Sequence, residues 1–267
     1  MTFMNASMKA SMKNKIAIVT GASRSTGIGT AICRALAGSG TDIFFTHWQA
    51  FDEVEGNGLE QAWPEQLRGE LERLGVRASH MEADFSNPDM PSLIMDEVER
   101  TLGSPSILIN NAAYYVQANF RTLNLELLEQ HYVVNNRTTM LLSTEFAKRY
   151  EQNQPAGTNG RIIFMVSKGP DADNLAYTAT KGALIALIEP LAVGLAPLQI
   201  TVNGFDPGPT DSGWMDDELK ARLLPLFPMG RIGLPEDAAK AICFLASDDA
   251  QWITGQIIKS EGGFLGK

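Results

Sequence analysis

Short apolar runs that recur between longer helical patterns constrain this chain more than any other feature. "KIAIVT" (15–20) precedes a helical pattern at 27–38, and "TDIFFT" (41–46) precedes one at 59–74. "VRASHMEAD" (76–84) leads into 89–102, and "SILIN" (106–110) leads into a long helical stretch from about Asn124 to Tyr150. "RIIFMV" (161–166) precedes 175–196, and "ITVNGF" (200–205) precedes an irregular segment at 206–234. A helical pattern at 235–247 then leads to the strand "QIIKSE" (256–261). Runs such as KIAIVT and SILIN are apolar almost throughout, a sign of strands buried on both faces. Repeated β–α alternation therefore predicts an α/β fold, a Rossmann-type doubly wound parallel sheet of about seven strands with helices on both faces.

The 267 residues are ample for one such domain with a sizeable core. No linker-like stretch, internal repeat or low-complexity segment interrupts the pattern. Residues 14–267 are therefore expected to form a single domain behind a flexible N-terminal tail at 1–13. That tail lacks the apolar core of a signal peptide, and no apolar run is read as long enough to cross a bilayer. The expected location is cytoplasmic. A net charge of -9 and a pI near 4.9 argue against general binding of nucleic acid or anionic membranes. Cys33 and Cys243 sit in apolar, helix-like stretches and read as buried, reduced thiols. His47, His80 and His131 show no metal-ligand spacing, so no metal site is expected.

"TGASRSTGIG" (20–29) follows the first strand and opens the first helix. A glycine turn there lets the backbone approach a pyrophosphate, and the helix N-terminus offers free N–H groups to it. The spacing is G-x5-G-x-G through Gly21, Gly27 and Gly29, longer than the usual dinucleotide fingerprint. Tyr177 and Lys181, in "AYTATKGAL", stand four apart and so share one face of a helix. An ammonium near a phenol favours the phenolate, which makes the pair a credible acid/base unit.

Taken together, "TGASRSTGIG", "NNAA" (110–113), "AYTATKGAL" and "DPGPT" (206–210) resemble the short-chain dehydrogenase/reductase family over nearly the whole chain. The C-terminal stretch "MGRIGLPEDAAKAICFLASDDAQWITGQIIKSEGGF" is similar to 3-oxoacyl-carrier-protein reductase-like members. The resemblance implies an oxidoreductase that moves hydride between a nicotinamide cofactor and a carbonyl or secondary alcohol. In that scheme Tyr177 protonates the carbonyl oxygen, Lys181 also holds the nicotinamide ribose, Ser167 binds the substrate oxygen, and Asn135 holds the water of a proton relay. The neighbouring Asn136 competes for that last role. Cofactor-binding positions carried over are Gly21, Ser23, Arg24, Gly27, Ile28, Gly29, Asp84, Phe85, Asn111, Ala112, Tyr177, Lys181, Pro207, Gly208 and Thr210. The segment 211–230 corresponds to the family's substrate lid, and a homotetramer or homodimer is implied.

Two departures stand out. Ser25 and Thr26 look like an insertion in the glycine loop, either capping the helix or offering hydroxyls to a phosphate, or else bulging into solvent. Ser167 and Tyr177 are closer in sequence than the family's usual spacing, which would either open the substrate pocket on that side, the favoured reading, or displace Ser167 from the chemistry; Lys168, Asp171 and Asp173 add charge there. Cofactor choice rests on the end of the second strand, "FFTHW", which carries no acid to bind a ribose 2′-hydroxyl. Asp42 precedes the strand body, and Asp52 lies in the next loop. Arg24 would instead meet a 2′-phosphate. NADP(H) is thus favoured, with NAD(H) left open.

The long loop also resembles that of the enoyl-carrier-protein reductases, which gives enoyl-thioester reduction as an alternative. That branch separates its tyrosine and lysine more widely and lacks "NNA". A non-catalytic NADP(H)-sensing protein is a third reading. A carrier-protein partner would need a local basic patch, for which Arg121, Arg137, Lys148 and Arg149 are candidates. Pro190 falls inside the expected 175–196 helix and is expected to kink it or to remove one hydrogen bond.

Overall fold

The computed structural model describes residues 11–54, 60–153, 159–169 and 171–266. Its strands are β1 (Ile16–Val19), β2 (Asp42–His47), β3 (Ala78–Glu82), β4 (Ile107–Asn110), β5 (Gly160–Met165), β6 (Ile200–Asp206) and β7 (Ile257–Lys259). They form one sheet in the order β3-β2-β1-β4-β5-β6-β7. Every neighbouring pair is parallel. The helices are α1 (Ile28–Ala37), α2 (Gln49–Val54), α3 (Trp63–Arg73), α4 (Met90–Thr101), α5 (Leu125–Tyr132), α6 (Thr139–Asn153), α7 (Leu175–Leu195), α8 (Asp217–Leu223) and α9 (Pro235–Ala246).

Because side chains alternate along a strand, each strand feeds both faces of the sheet. Ala17, Val19, Phe45 and Ile109 pack with Ile32, Leu36, Leu67 and Ile242 from α1, α3 and α9. Ile18, Phe44, Leu108 and Phe164 pack on the other face with Ile94, Phe146 and Leu184 from α4, α6 and α7. This two-sided burial is why the central strands β1 (IAIV) and β4 (ILIN) are nearly free of polar residues, while the edge strands β3 and β7 are half-buried or exposed. The chain winds outward from β1 to β3, then returns to place β4 on the other side of β1. That reversal opens a crevice at the carboxyl ends of β1 and β4, the place where folds of this kind bind ligands.

Several local expectations change. The helical stretch 124–150 is three pieces: α5, a π-helical turn at Val133–Thr138, and α6. The irregular segment 206–234 contains α8, and Asp52 falls in α2 rather than in a loop. Of the expected tail, residues 1–10 lie outside the described residues. At its end, Met12 is fully buried and its carbonyl accepts a 3.0 Å hydrogen bond from the Thr41 hydroxyl. Cys33 and Cys243 are buried free thiols.

The reading that no apolar run could span a bilayer also needs correction. Leu175–Leu198 is 24 residues long with a mean hydropathy of 1.6, enough by length and composition alone. Here α7 lies on the sheet and buries a narrow stripe, Ala176, Thr180, Lys181, Leu184, Ile188 and Ala192, at helical spacing. The helix runs through Pro190, which sits on its exposed side.

Candidate active site

An open cleft of about 1690 Å³ runs along the carboxyl edge of the sheet. That is larger than the ~300–1,000 Å³ of an ordinary small-molecule pocket and leaves room for a dinucleotide beside a substrate. Its lining includes Gly21, Ser23, Arg24, Gly27, Ile28 and Gly29 from the glycine loop, and Asp84 and Phe85 after β3. Asn111 and Ala112 after β4, and Pro207, Gly208 and Thr210 after β6, line it as well. The sequence-derived cofactor positions therefore converge on one surface.

The glycine loop is a tight cradle. Gly21 has φ +75, and a Cβ there would fall 2.8 Å from Ala112 Cα. A Cβ on Gly29 would lie 2.3 Å from the Gly21 carbonyl oxygen. Only hydrogen fits at either place. No side chain caps the N-terminus of α1, whose first residues Ile28 and Gly29 line the cleft. The cradle and the uncapped helix end fit a pyrophosphate. Asn111 braces this loop: its amide donates to the carbonyls of Thr20 and Gly21 at 2.8 and 2.9 Å. Thr20 Oγ1 in turn accepts from the backbone N–H groups of Asn111 and Ala112.

The two extra loop residues have specific partners, and neither caps the helix. Ser25 donates through its backbone N–H and its hydroxyl to the Glu60 carboxylate, the hydroxyl at 3.0 Å. Thr26 Oγ1 donates to the Ser212 carbonyl at 3.2 Å. Asp84 is similarly engaged, its two carboxylate oxygens accepting from the N–H and hydroxyl of Ser86.

Tyr177 and Lys181 stand on the first turns of α7, against the end of β5. Lys181 is buried, and its Nζ donates to the Met165 carbonyl at 2.7 Å. The same nitrogen lies 5.4 Å from the centre of the Tyr177 ring. Ser167, two residues beyond Met165, lines the cleft with Tyr177 and Lys181. Burial lowers the Lys181 pKa to about 8, partly opposed by the Asp206 carboxylate. Contrary to the expectation from the Tyr–Lys pairing, the Tyr177 phenol is pushed up rather than down. Burial is the main cause, with Tyr115 and Asp206 adding to it. The charge of Lys181 does not offset that desolvation.

Asn135 and Asn136 are both buried. Asn135 Oδ1 accepts from Tyr114 N at 2.7 Å, and its Nδ2 donates to the Tyr114 carbonyl and to Thr180 Oγ1. Asn136 donates instead to the Thr180 carbonyl at 2.9 Å. The Asn135 side chain thus ties the strand-end loop to α7, and both residues lie in the π-helical turn. Such a turn disturbs the regular i→i−4 ladder and is frequent at functional sites.

Tyr115 and Asp206 were not picked out by the sequence, and Trp214 enters it only as part of the lid segment 211–230. The Tyr115 ring meets Tyr177 edge-on at 5.1 Å. Asp206 is buried at the end of β6; its Oδ1 accepts from Gly208 N at 3.0 Å, and burial raises its pKa. Trp214 lines the cleft, and its indole N–H donates to the Thr210 carbonyl at 3.0 Å. Tyr115 follows "NNAA" closely and Asp206 opens "DPGPT", which are the only sequence signals for them. The short loop after Ser167 is pinned across the cleft wall: Ala118 N donates to the Asp173 carbonyl, and Leu175 N to the Ala118 carbonyl. The proposed docking arginines do not form one free patch, since Arg149 is paired with Asp96, Glu99 and Glu145. Among the described residues no group of three or more His, Cys, Asp or Glu side chains gathers to hold a metal.

A family model described as enoyl-(acyl carrier protein) reductase matches residues 21–265. An uncharacterized oxidoreductase of Bacillus subtilis strain 168, YjdA, is 50% identical over 256 residues, 95% of this chain and 98% of that protein. NADPH-dependent aldehyde reductase 2, chloroplastic, of Arabidopsis thaliana is 32% identical over 266 residues, 95% of each. Among solved structures, a blue fluorescent protein from a metagenomic library in complex with NADPH superposes with a TM-score of 0.83 at 30% identity. That likeness covers 95% of this chain and 99% of the other.

Proposed function

Because the chain belongs to the short-chain dehydrogenase/reductase family, an oxidoreductase family, we propose that it interconverts a carbonyl and a secondary alcohol with NADP(H). The observation that carries this reading is the convergence of Tyr177, Lys181 and Ser167 on the cleft that also holds the glycine cradle. The NADPH named for the Arabidopsis relative and for the fluorescent-protein complex supports the cofactor choice.

In this proposal, Gly21, Gly27 and Gly29 let the backbone and the α1 N-terminus receive the pyrophosphate, and Arg24 faces the adenosine end. A nicotinamide held there would supply or take up the hydride. Ser167 orients the substrate oxygen. A phenol held above its ordinary pKa is protonated at neutral pH, so Tyr177 is set to give its proton to the oxygen as a carbonyl is reduced. Lys181, fixed by the Met165 carbonyl, places positive charge beside that ring. The Asn135 side chain is fully engaged, so any water it holds would bind its main-chain carbonyl within the π-helical turn. The segment 211–230 acts as the substrate lid.

The finer reading is reduction of a 3-oxoacyl thioester. The enoyl reductase description of the matching family model keeps enoyl reduction as a second reading. The close Tyr177–Lys181 spacing and the Asn111 brace favour the carbonyl reaction. A homodimer or homotetramer is proposed as the assembly. NADPH consumption with aldehydes, ketones, a 3-oxoacyl thioester and an enoyl thioester tests the assignment. Turnover of carbonyl compounds is expected, and turnover of the enoyl thioester alone would overturn it.

A further inference from the structure

β2 ends in His47, whose side chain is buried yet lines the cleft. The end of the second strand is where folds of this kind place an acid to bind a ribose 2′-hydroxyl. Here an imidazole stands at that end. The glycine loop is tied to the same spot: Gly21 N donates to Thr46 Oγ1, and Trp48 N donates to Ser23 Oγ.

His47 heads a chain of three groups. His47 Nε2 lies 3.1 Å from His80 Nδ1, and His80 Nε2 lies 3.2 Å from Glu65 Oε1. The carboxylate can only accept, so His80 carries its proton on Nε2. In neutral His80, Nδ1 is then an acceptor, and His47 donates to it from Nε2. That leaves His47 Nδ1 as a lone-pair nitrogen, buried and without a hydrogen-bond partner. A lone pair suits a hydroxyl donor. A phosphate dianion offers only acceptors and pairs with an N–H instead.

We propose that His47, backed by His80 and Glu65, reads the 2′ position of the adenosine ribose, accepting from a 2′-hydroxyl when neutral and donating to a 2′-phosphate after taking up one proton at Nδ1. This rests on the NADP(H) reading above. The proton comes from solvent, and the resulting charge is relayed through His80 to the Glu65 carboxylate. Other charged groups around His47 are Glu82, its register partner on β3, and Arg24 and Asp84, which line the same cleft. Burial, with His80 beside it, lowers the His47 pKa to about 4, so the ring enters binding neutral. Arg24, in contrast, is a fixed cation whose contribution does not depend on proton uptake.

Calorimetric titration of NADP⁺ and NAD⁺ near neutral pH, in buffers of different ionisation heat, counts the protons taken up. Wild-type protein is expected to take up a proton with NADP⁺ and not with NAD⁺. His47→Gln should abolish that difference and lower the preference for NADP⁺ over NAD⁺ about tenfold. Arg24→Ala should weaken NADP⁺ binding while keeping the proton uptake. Identical NADP⁺-linked uptake in wild type and His47→Gln, or no uptake in wild type, overturns the inference while leaving the cofactor reading intact. Should His47→Gln fail to fold, His80→Gln, which breaks the relay behind the ring, must diminish the uptake; unchanged uptake there also overturns it. Failure of both dinucleotides to bind would sink the cofactor reading along with it.

Discussion

The Thr26 hydroxyl donates to the Ser212 carbonyl across 3.2 Å, joining the glycine loop to the segment that follows β6. The two residues are 186 positions apart in sequence. One side of the loop therefore touches the start of the proposed lid, while Ser25 anchors the other side to Glu60. The insertion is a two-sided brace between the phosphate cradle and the wall of the substrate space.

Gly213 makes the brace sensitive to a single methyl group. Its φ is +91, and a Cβ there would sit 2.7 Å from Thr26 Oγ1. Gly213→Ala combines a disfavoured backbone conformation with a contact that Thr26 must leave, at a cost of ~1–3 kcal/mol. Thr26→Val keeps the volume and removes only the donor. We expect Thr26→Val to raise KM for the carbonyl substrate by roughly twofold to tenfold, the worth of one neutral hydrogen bond. The Kd for NADPH should change little. An unchanged KM in both variants would count against the link, and steady-state kinetics with fluorescence titration reads both quantities.

Tyr177→Phe keeps the ring against Tyr115 but removes the hydroxyl. Turnover should fall ~10²–10⁴-fold, the usual contribution of a positioned acid. NADPH should still bind with nearly unchanged affinity. Near-normal kcat would remove Tyr177 from the chemistry.

Asp206 raises the pKa of both Tyr177 and Lys181 through its charge. Asp206→Asn retains an acceptor for Gly208 N and deletes that charge. Both groups should then lose protons more readily. In the alcohol-oxidation direction, where the phenol must be deprotonated, the rising limb of the rate–pH profile is expected to move to lower pH. A limb that stays in place, or moves up, would show that Asp206 is not electrically coupled to the pair.

The sheet was legible because its central strands are buried on both faces, which leaves runs such as IAIV and ILIN almost without polar breaks. The glycine loop and the Tyr177–Lys181 pair were legible because each is a local pattern whose chemistry depends on close spacing. What stayed hidden depends on distant partners. Asn135 is held by Tyr114 and Thr180, residues 21 and 45 positions away, and no local pattern announces the π-helical turn that presents it. Glu60 and Ser212 fix the roles of Ser25 and Thr26 in the same way. The direction of the Tyr177 shift was misjudged because the four-residue spacing shows the nearby ammonium but not the burial that outweighs it. Met12, read as part of a loose tail, is covered by the core that α1, α3 and α9 build.

His47 also predicts how the fold responds to acid. Its pKa falls from 6.5 to about 4 on folding, so between those values the unfolded chain binds a proton that the native protein does not. Stability linked to this residue is complete above pH 6.5 and is lost as the pH falls toward 4. The full loss is ~3 kcal/mol, at about 1.4 kcal/mol per unit of pKa difference. His47→Gln carries no titrating group. Its ΔG of unfolding should therefore drop less steeply than wild type from pH 6.5 to pH 4, even if its stability at pH 7.5 is lower. Urea titrations at several pH values across this window measure both slopes. Parallel curves for the two proteins would mean that the buried imidazole does not resist protonation in the native fold.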